Sequence, residues 1–379
     1  MSVHPKDIAV IIPKEPFRLL TFCLVMMIGL SCVLMSTQVK AERIIIPVAF
    51  STPDTGFAGG AAVIWAIPNP EAGENKKDTV SAFGYLSQKG QVMLALSSSL
   101  YRSEGSMLLE PSVAFGKSVS TSHGIGSLSR TGSEESYEAE FVRLNFMAGW
   151  RILKDSYFGP AMSLQHRKYT DLSDARELKD YLAGNNEKMQ STRLGLGFQL
   201  KRDTRDNSFY SQKGVFSEAE FLTFDTSWGS DYNFNLFGLE HRRFIPLNSR
   251  SVLAIQGKIK AASGHVPYDQ MPAVGGAQSI RGLLQDRYRD ELALSSQVEW
   301  RRILTDKWGM AVFSGFGDVF PSFDQVRASE LKYALGVGGR YALGQKQRVN
   351  LRLDFGYSDA LGDAEADGFN VYFQVGEAF

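Results

Sequence analysis

The chain has 379 residues, with 41 Lys and Arg balanced by 41 Asp and Glu and only 2 Cys. That balance leaves no basic excess for a nucleic-acid backbone, so nucleic acid is excluded as a partner. Both cysteines, Cys23 and Cys32, fall in one N-terminal apolar stretch. Residues 42–379 therefore offer no disulfide framework, no thiolate zinc site and no thiol nucleophile.

At the N-terminus, Lys14 and Arg18 lead into residues 19–34, which carry no charge, and Val39 and Ala41 place small residues at the minus-three and minus-one positions of a cleavage site. This order is that of a secretory signal peptide, expected over residues 1–41. A single membrane anchor is the alternative, but sixteen residues are fewer than the ~20 a spanning helix needs. Beyond residue 41, 37 basic residues face 39 acidic ones, a net charge of −2.

From there on the chain alternates. Strands are expected to begin near Arg43, Phe57, Thr79, Gln91, Met107, Ala139, Tyr157, Ser191, Gly214, Asn233, Val252, Glu291, Met310, Lys332, Gln347 and Phe369. Val142, Leu144, Phe146, Ala148 and Trp150 interleave with Arg143 and Asn145. Leu194, Leu196, Phe198 and Leu200 do the same with Arg193, Gln199 and Lys201, and Leu253, Ile255 and Ile259 with Gln256, Lys258 and Lys260. Near the end, Val349, Leu351, Leu353, Phe355 and Tyr357 alternate with Asn350, Arg352 and Asp354.

Because strand side chains point to opposite faces in turn, each segment has one apolar and one polar face. A soluble sandwich would bury the apolar face on a second sheet, whereas a membrane barrel turns it to lipid. Segments of about nine to eleven residues suit a tilted strand crossing a bilayer. Soluble strands average about five or six. The expected fold is all-β: a 16-stranded antiparallel transmembrane β-barrel over residues 42–379, exported to a bacterial outer membrane. Short turns would face the periplasm, and the long polar stretches 119–138, 170–190 and 263–290 would lie outside.

Alternation places Arg143, Arg193, Lys201, Lys258, Lys260, Arg340, Arg352 and Asp354 in the lumen, which would favour anions if it were open. Phe369, Val371, Phe373, Val375 and Phe379 share one face, a series that Glu377 interrupts. Phe373, Val375 and Phe379 resemble the C-terminal signal read by barrel-assembly machinery. Asp203, Arg205 and Asp206 form a charged turn that would pair internally, and the scattered histidines His123, His166, His241 and His265 lack metal-ligand spacing. No cofactor is expected.

The most informative segment is Val274-Gly275-Gly276-Ala277-Gln278-Ser279-Ile280-Arg281-Gly282-Leu283, followed by Asp286, Tyr288, Arg289 and Asp290. Upstream stands Lys201-Arg202-Asp203-Thr204-Arg205-Asp206-Asn207-Ser208-Phe209-Tyr210 with Lys213-Gly214. Downstream come Val298-Glu299-Trp300-Arg301, Gly336-Val337-Gly338-Gly339-Arg340-Tyr341, Leu353-Asp354-Phe355-Gly356-Tyr357 and a final Val375-Gly376-Glu377-Ala378-Phe379. In this order the set resembles the BamA/TamA superfamily of outer-membrane assembly barrels, the bacterial surface antigen family, as a short member without periplasmic POTRA domains.

The resemblance implies that the loop 263–290 folds back into the lumen, where Arg281 meets an acid on the wall. Gly275, Gly276 and Gly282 would let the backbone turn and approach that wall. Glu299 is the expected partner, since a guanidinium is best matched by a carboxylate. Two positions depart from the family pattern: Gly315 stands where relatives carry an acid, and Leu283 where they carry an aromatic. Asp318, the nearest acid, is expected to point outward by parity.

The resemblance further implies insertion or translocation of proteins or lipids at the outer membrane, with a seam between the first and last strands that can open. The short segment 43–50 would make that seam weak. The partners so implied are outer-membrane lipid, the assembly machinery during biogenesis, and a client outer-membrane protein or lipid. The alternatives are a passive channel or structural barrel that keeps the fold without the activity and, least supported, a membrane hydrolase. No enzymatic activity is expected.

Overall fold

The computed structural model describes residues 42–379 except 53–54, 73–76, 130–133, 344–347 and 360–367; the expected signal peptide lies outside the described residues. Eighteen strands follow in chain order: β1 Glu42–Thr52, β2 Gly56–Pro68, β3 Lys77–Ser87, β4 Val92–Arg102, β5 Met107–Ser122, β6 Glu135–Leu153, β7 Ser156–Asp171, β8 Gln190–Asp203 and β9 Gly214–Phe224. They continue with β10 Phe234–Asn248, β11 Ser251–Gly264, β12 Ala273–Val274, β13 Tyr288–Arg289, β14 Leu292–Ile303, β15 Trp308–Phe320, β16 Lys332–Ala342, β17 Asn350–Asp359 and β18 Phe369–Val375. Sixteen of them form one antiparallel sheet in which each strand pairs with the next, β11 with β14 across the loop that holds the small β12–β13 pair.

The sheet curls until β1 and β18 lie side by side. Among the described residues no hydrogen-bonded ladder joins these two strands, so the barrel is nearly closed. Its even strand number puts the start of β1 and the end of β18 on the same rim, here called the terminal rim. The connections 123–134, 172–189 and 265–291 rise from the opposite, loop rim.

Alternation runs inside out. Along β16, Ala334, Gly336, Gly338 and Arg340 are buried while Leu335 is 63% and Val337 52% exposed. Apolar side chains face outward and charged ones inward, the arrangement that a lipid surround stabilises and water would not. Small inward residues on this strand leave room for the loop described below.

Two expectations about strand length are corrected. The stretch 119–138 is strand at both ends, because β5 runs to Ser122 and β6 starts at Glu135, with Val119–Ser122 paired to Glu135–Glu138, so the connection is only 123–134. Alternating Thr, Ser, Tyr and Glu kept a strand period there that polarity alone disguised. The first strand is not short: β1 has 11 residues and pairs with β2 from Glu42–Ala66 to Thr52–Gly56. The short strand is β18, with 7 residues.

β18 ends because Gly376 adopts φ +92°, a left-handed conformation that turns the chain inward. Phe379 therefore does not continue the face of Phe369 and Val371, which point outward. It is buried at the terminal mouth with Phe244, Val252, Ala254 and Ala378. Phe373 and Val375 stay on β18, half-buried. The expected single face of the C-terminal series is thus broken at Gly376.

Asp318 also departs from its expected outward position. Alternation fails at the end of β15, where Gly317, Asp318 and Val319 are all buried. Asp318 accepts from Lys332 Nζ at 2.6 Å and from Ser127 Oγ at 2.5 Å. An ionised carboxylate facing lipid would be costly, and the paired position at the rim avoids that cost.

Over the loop rim, the helix α1, Arg176–Gly184, buries Leu178 and Leu182 against Tyr137, Ala139, Tyr169 and Tyr268. It caps the lumen from one side.

Candidate functional site: the lumenal loop and its arginine cluster

The connection 265–291 drops into the lumen and is folded there by its own sequence. Gly275, Gly276 and Gly282 hold φ values of +120°, +84° and +123°, which side-chain-bearing residues rarely adopt. At Gly282 a Cβ would lie 2.9 Å from the Ala334 Cβ and 3.1 Å from the Tyr357 carbonyl oxygen, so only glycine lets the loop pass this close to β16 and β17. Ile280 and Leu283 flank Arg281 and are fully buried with Val274, Tyr288, Ala293, Val319 and Ala334. That apolar anchor fixes the backbone from which Arg281 projects.

Arg281 is fully buried. Its Nε donates to Gln297 at 3.1 Å, and its Nη1 donates to Glu299 and, at 3.0 Å, to Asp354. Its guanidinium carbon sits 3.7 Å from the centre of the Phe313 ring, a cation–π contact. The two acids are shared with three more arginines. Arg301 Nε donates to Glu299 at 2.5 Å, and Arg340 reaches Asp354 at 2.5 Å and Glu299 at 3.4 Å. Arg352 lies 3.5 Å from Asp354 and donates to Gln374. A third acid, Glu377, accepts from Arg340 at 2.9 Å and from Asn350 at 2.6 Å.

Four guanidiniums and three carboxylates, none more than 4% exposed at the side chain, thus form one connected network. Such a cluster persists only while each charge keeps its partners. Removing one partner of a buried pair typically costs about 3–5 kcal/mol.

The loop tip is also fastened to the last strand. Gly282 N donates to Tyr372 Oη at 3.0 Å, and Tyr372 Oη donates to the Leu283 carbonyl at 2.7 Å. The Gly282 carbonyl accepts from Asn370 Nδ2 at 2.6 Å and from Ser358 Oγ at 3.0 Å. The shortest barrel strand is therefore held from inside as well as by its ladder to β17.

Arg281, Gly282 and Glu299 come together at one place, while Gly275 and Gly276 shape the loop's own turn, with Gly276 N donating to the Leu283 carbonyl at 3.0 Å. Arg340, Arg352 and Asp354, expected to line an aqueous lumen, belong to this dry cluster instead. Asp354 supplies a second acid to Arg281. Gly315 leaves space for the loop: a Cβ there would come within 3.1 Å of Gln297 Cγ and 3.6 Å of Ile280 Cγ2. Sequence reasoning missed Gln297, Tyr372, Asn370, Ser358 and Glu377 as members of this site. Even-numbered parity on β18 places Asn370 and Tyr372 inward, the one signal that could have found them.

The other side of the lumen holds an open cavity. A cavity of about 820 Å³ is bounded by Glu110, Arg143, Lys201, Glu218, Glu220 and Lys260 among others, beneath Asp269 and Met271 of the loop. Arg143 is exposed to it. Lys201 donates to both Glu110 oxygens at 2.7 Å, and Lys258 lies 3.6 Å from Glu240. Arg193 reaches Asp269 at 2.9 Å. The expectation of a cationic lumen is corrected by these interleaved acids, which give a near-neutral wall. Asp203 and Arg205 pair at 2.7 Å in the 204–213 turn, and among the described residues no group of metal-ligating side chains occurs.

Residues 87–379 match the Omp85 superfamily domain. No protein with a curated description matches the sequence. Among solved structures, BamA from Haemophilus ducreyi lacking POTRA domains 1–3 superposes with a TM-score of 0.62 at 13% identity, over 89% of this chain and 70% of that one. CdiB from Escherichia coli gives 0.57 at 13% identity over 90% and 67%, and CdiB from Acinetobacter baumannii 0.55 at 11% over 88% and 59%. The chain thus spans from about three fifths to seven tenths of the length of these structures. These superpositions show a shared fold, and the match over residues 87–379 shows that the chain belongs to the Omp85 superfamily.

Proposed function

We propose that this Omp85-type outer-membrane barrel inserts or translocates extended polypeptide, or a lipid-facing segment, through the seam between β1 and β18. One observation carries the reading: β1 and β18 lie side by side with no ladder described between them, and β18 is only 7 residues long. An unpaired strand edge exposes backbone donors and acceptors that template the addition of another strand. No catalytic side chain is needed for such a step. The client pairs with the exposed edge and leaves when the edges pair with each other again. In this reading the terminal rim faces the periplasm and Arg281 keeps the loop, and with it β18, in the closed state.

Site-specific photocrosslinking tests this. A crosslinker at Val48 of β1 or Asn370 of β18 should capture nascent barrel proteins in cells exporting them, while one at Ala219 in the middle of the sheet should not. Equal capture at all three positions, or none where a known assembly barrel gives adducts, would refute the seam.

A passive channel is the second reading, favoured by the cavity of about 820 Å³. It requires ion flow past the loop in the wild-type protein, which bilayer recordings measure directly.

A further inference from the structure

The segment after β18 ends in the same network that holds the loop. Arg340 places Nε on Glu377 at 2.9 Å, Nη1 on Asp354 at 2.5 Å and Nη2 on Glu299 at 3.4 Å. Arg301 places Nε on Glu299 at 2.5 Å and 3.7 Å from Glu377, and its Nη2 donates to the Phe379 backbone oxygen at 2.9 Å. Its guanidinium also lies 5.3 Å from the Phe379 ring and 5.7 Å from Phe244. Two arginines therefore each touch the acid that holds Arg281 and the residues that close the terminal mouth.

From this sharing we propose that residues 376–379 and the loop tip form one two-ended latch, in which release of either end loosens the other. The sign follows from charge. With Glu377 gone from the cluster, four guanidiniums would be matched by two carboxylates. Arg301 and Arg340 would then draw more fully on Glu299 and Asp354, leaving less for Arg281. In the other direction, loss of Arg281 frees Glu299 and Asp354 to hold Arg301 and Arg340 away from Glu377 and Phe379. An extended segment entering the terminal mouth with a carboxylate could displace Glu377 and so signal to the loop without touching it. The latch is a property of the network and stands whether or not the barrel handles clients.

Two reporter cysteines read the two ends: Ala378→Cys at the tail and Ser358→Cys on β17 beneath Gly282, both buried, each in a full chain with Cys23 and Cys32 replaced by serine. The measurement is the rate of maleimide labelling in lipid nanodiscs. Glu377→Gln should speed labelling at both reporters roughly tenfold, the size expected for loss of a charged hydrogen bond. Arg281→Ala should also speed both. The double variant should exceed the larger single effect by much less than the product of the two, because each substitution opens the same latch. Phe379→Ala, which leaves every charge in place, should speed both reporters less and serves where Glu377→Gln does not fold. If Glu377→Gln or Phe379→Ala opens position 378 and leaves position 358 at the wild-type rate, the latch is wrong. A double variant equal to the product of the singles would equally overturn it.

Discussion

The two sides of the lumen are built from the same alternating strands, yet they handle charge in opposite ways. Along β14–β18 the charges are sealed under the loop, matched in a network and held from several strands at once. Along β4–β11 several of them line an open cavity of about 820 Å³, and pairs such as Lys201–Glu110 sit where solvent can replace a lost partner. A charged inward face therefore does not by itself mark a pore. What decides is whether another part of the chain is built to cover it, and here the cover is a glycine-shaped loop fixed by Ile280 and Leu283.

If this contrast is right, substitutions on the sealed side are costly and those on the cavity side are not. The largest effect is expected for Arg281→Ala, which removes from the buried network the guanidinium that joins the loop to Gln297, Glu299 and Asp354. A loss of about 3–5 kcal/mol should appear as a lower urea midpoint for the folded barrel. An unchanged midpoint would mean that the network relaxes and that the two sides do not differ in kind.

Tyr372→Phe should come next. It removes the hydroxyl that both accepts from Gly282 N and donates to the Leu283 carbonyl, a loss of about 1–3 kcal/mol. Because it acts on β18, hydrogen exchange of that strand should rise while β14 keeps its protection. Uniform acceleration across both strands would indicate that the loop does not hold β18 specifically.

A smaller effect concerns the cap above the lumen. Glu187 accepts from Tyr268 N at 2.9 Å beside Arg193, Arg167 and Asp269, and burial pushes its carboxyl up to about 7. The closed cap thus holds a proton that an open cap releases. Its contribution is complete below the ordinary glutamate range, near 4.5, and is lost as pH rises through about 7. Protease cleavage near α1 should accordingly increase between pH 5 and pH 8 in the wild type and change little in Glu187→Gln. The same slope in both would assign the pH dependence to another group.

The smallest effect on stability is expected for Arg143→Ala, which faces the cavity. It should leave the urea midpoint in place, and a drop comparable to that of Arg281→Ala would break the distinction between the two sides.

Much of this architecture is legible in the sequence, because a period of two survives in strands such as β7, β8, β14 and β16. Fourteen of the sixteen strand starts fall within two residues of those read from alternation; of the other two, β6 starts at Glu135 instead of near Ala139, and the expected start at Gln347 lies outside the described residues. The start of β6 was hidden because Glu135-Ser136-Tyr137-Glu138 is polar enough to pass for a loop. The second acid on Arg281 was half legible: parity turned Asp354 inward, but nothing local says that β17 passes beside Glu299 across the lumen. Glu377 and Phe379 were read as members of a strand that in fact ends at Val375, since a single glycine with positive φ redirects them. Local periodicity reports which face a side chain takes. It does not report which distant strand shares the space in front of that face.

The central claim is that Arg281 keeps one side of the lumen closed by holding the loop inside it. Single-channel recording in planar bilayers, comparing the wild type with Arg281→Ala, tests this most directly. Low, flickering conductance in the wild type that becomes larger and more persistent in the variant is the expected result. A large, steady conductance that is the same in both proteins would contradict the account.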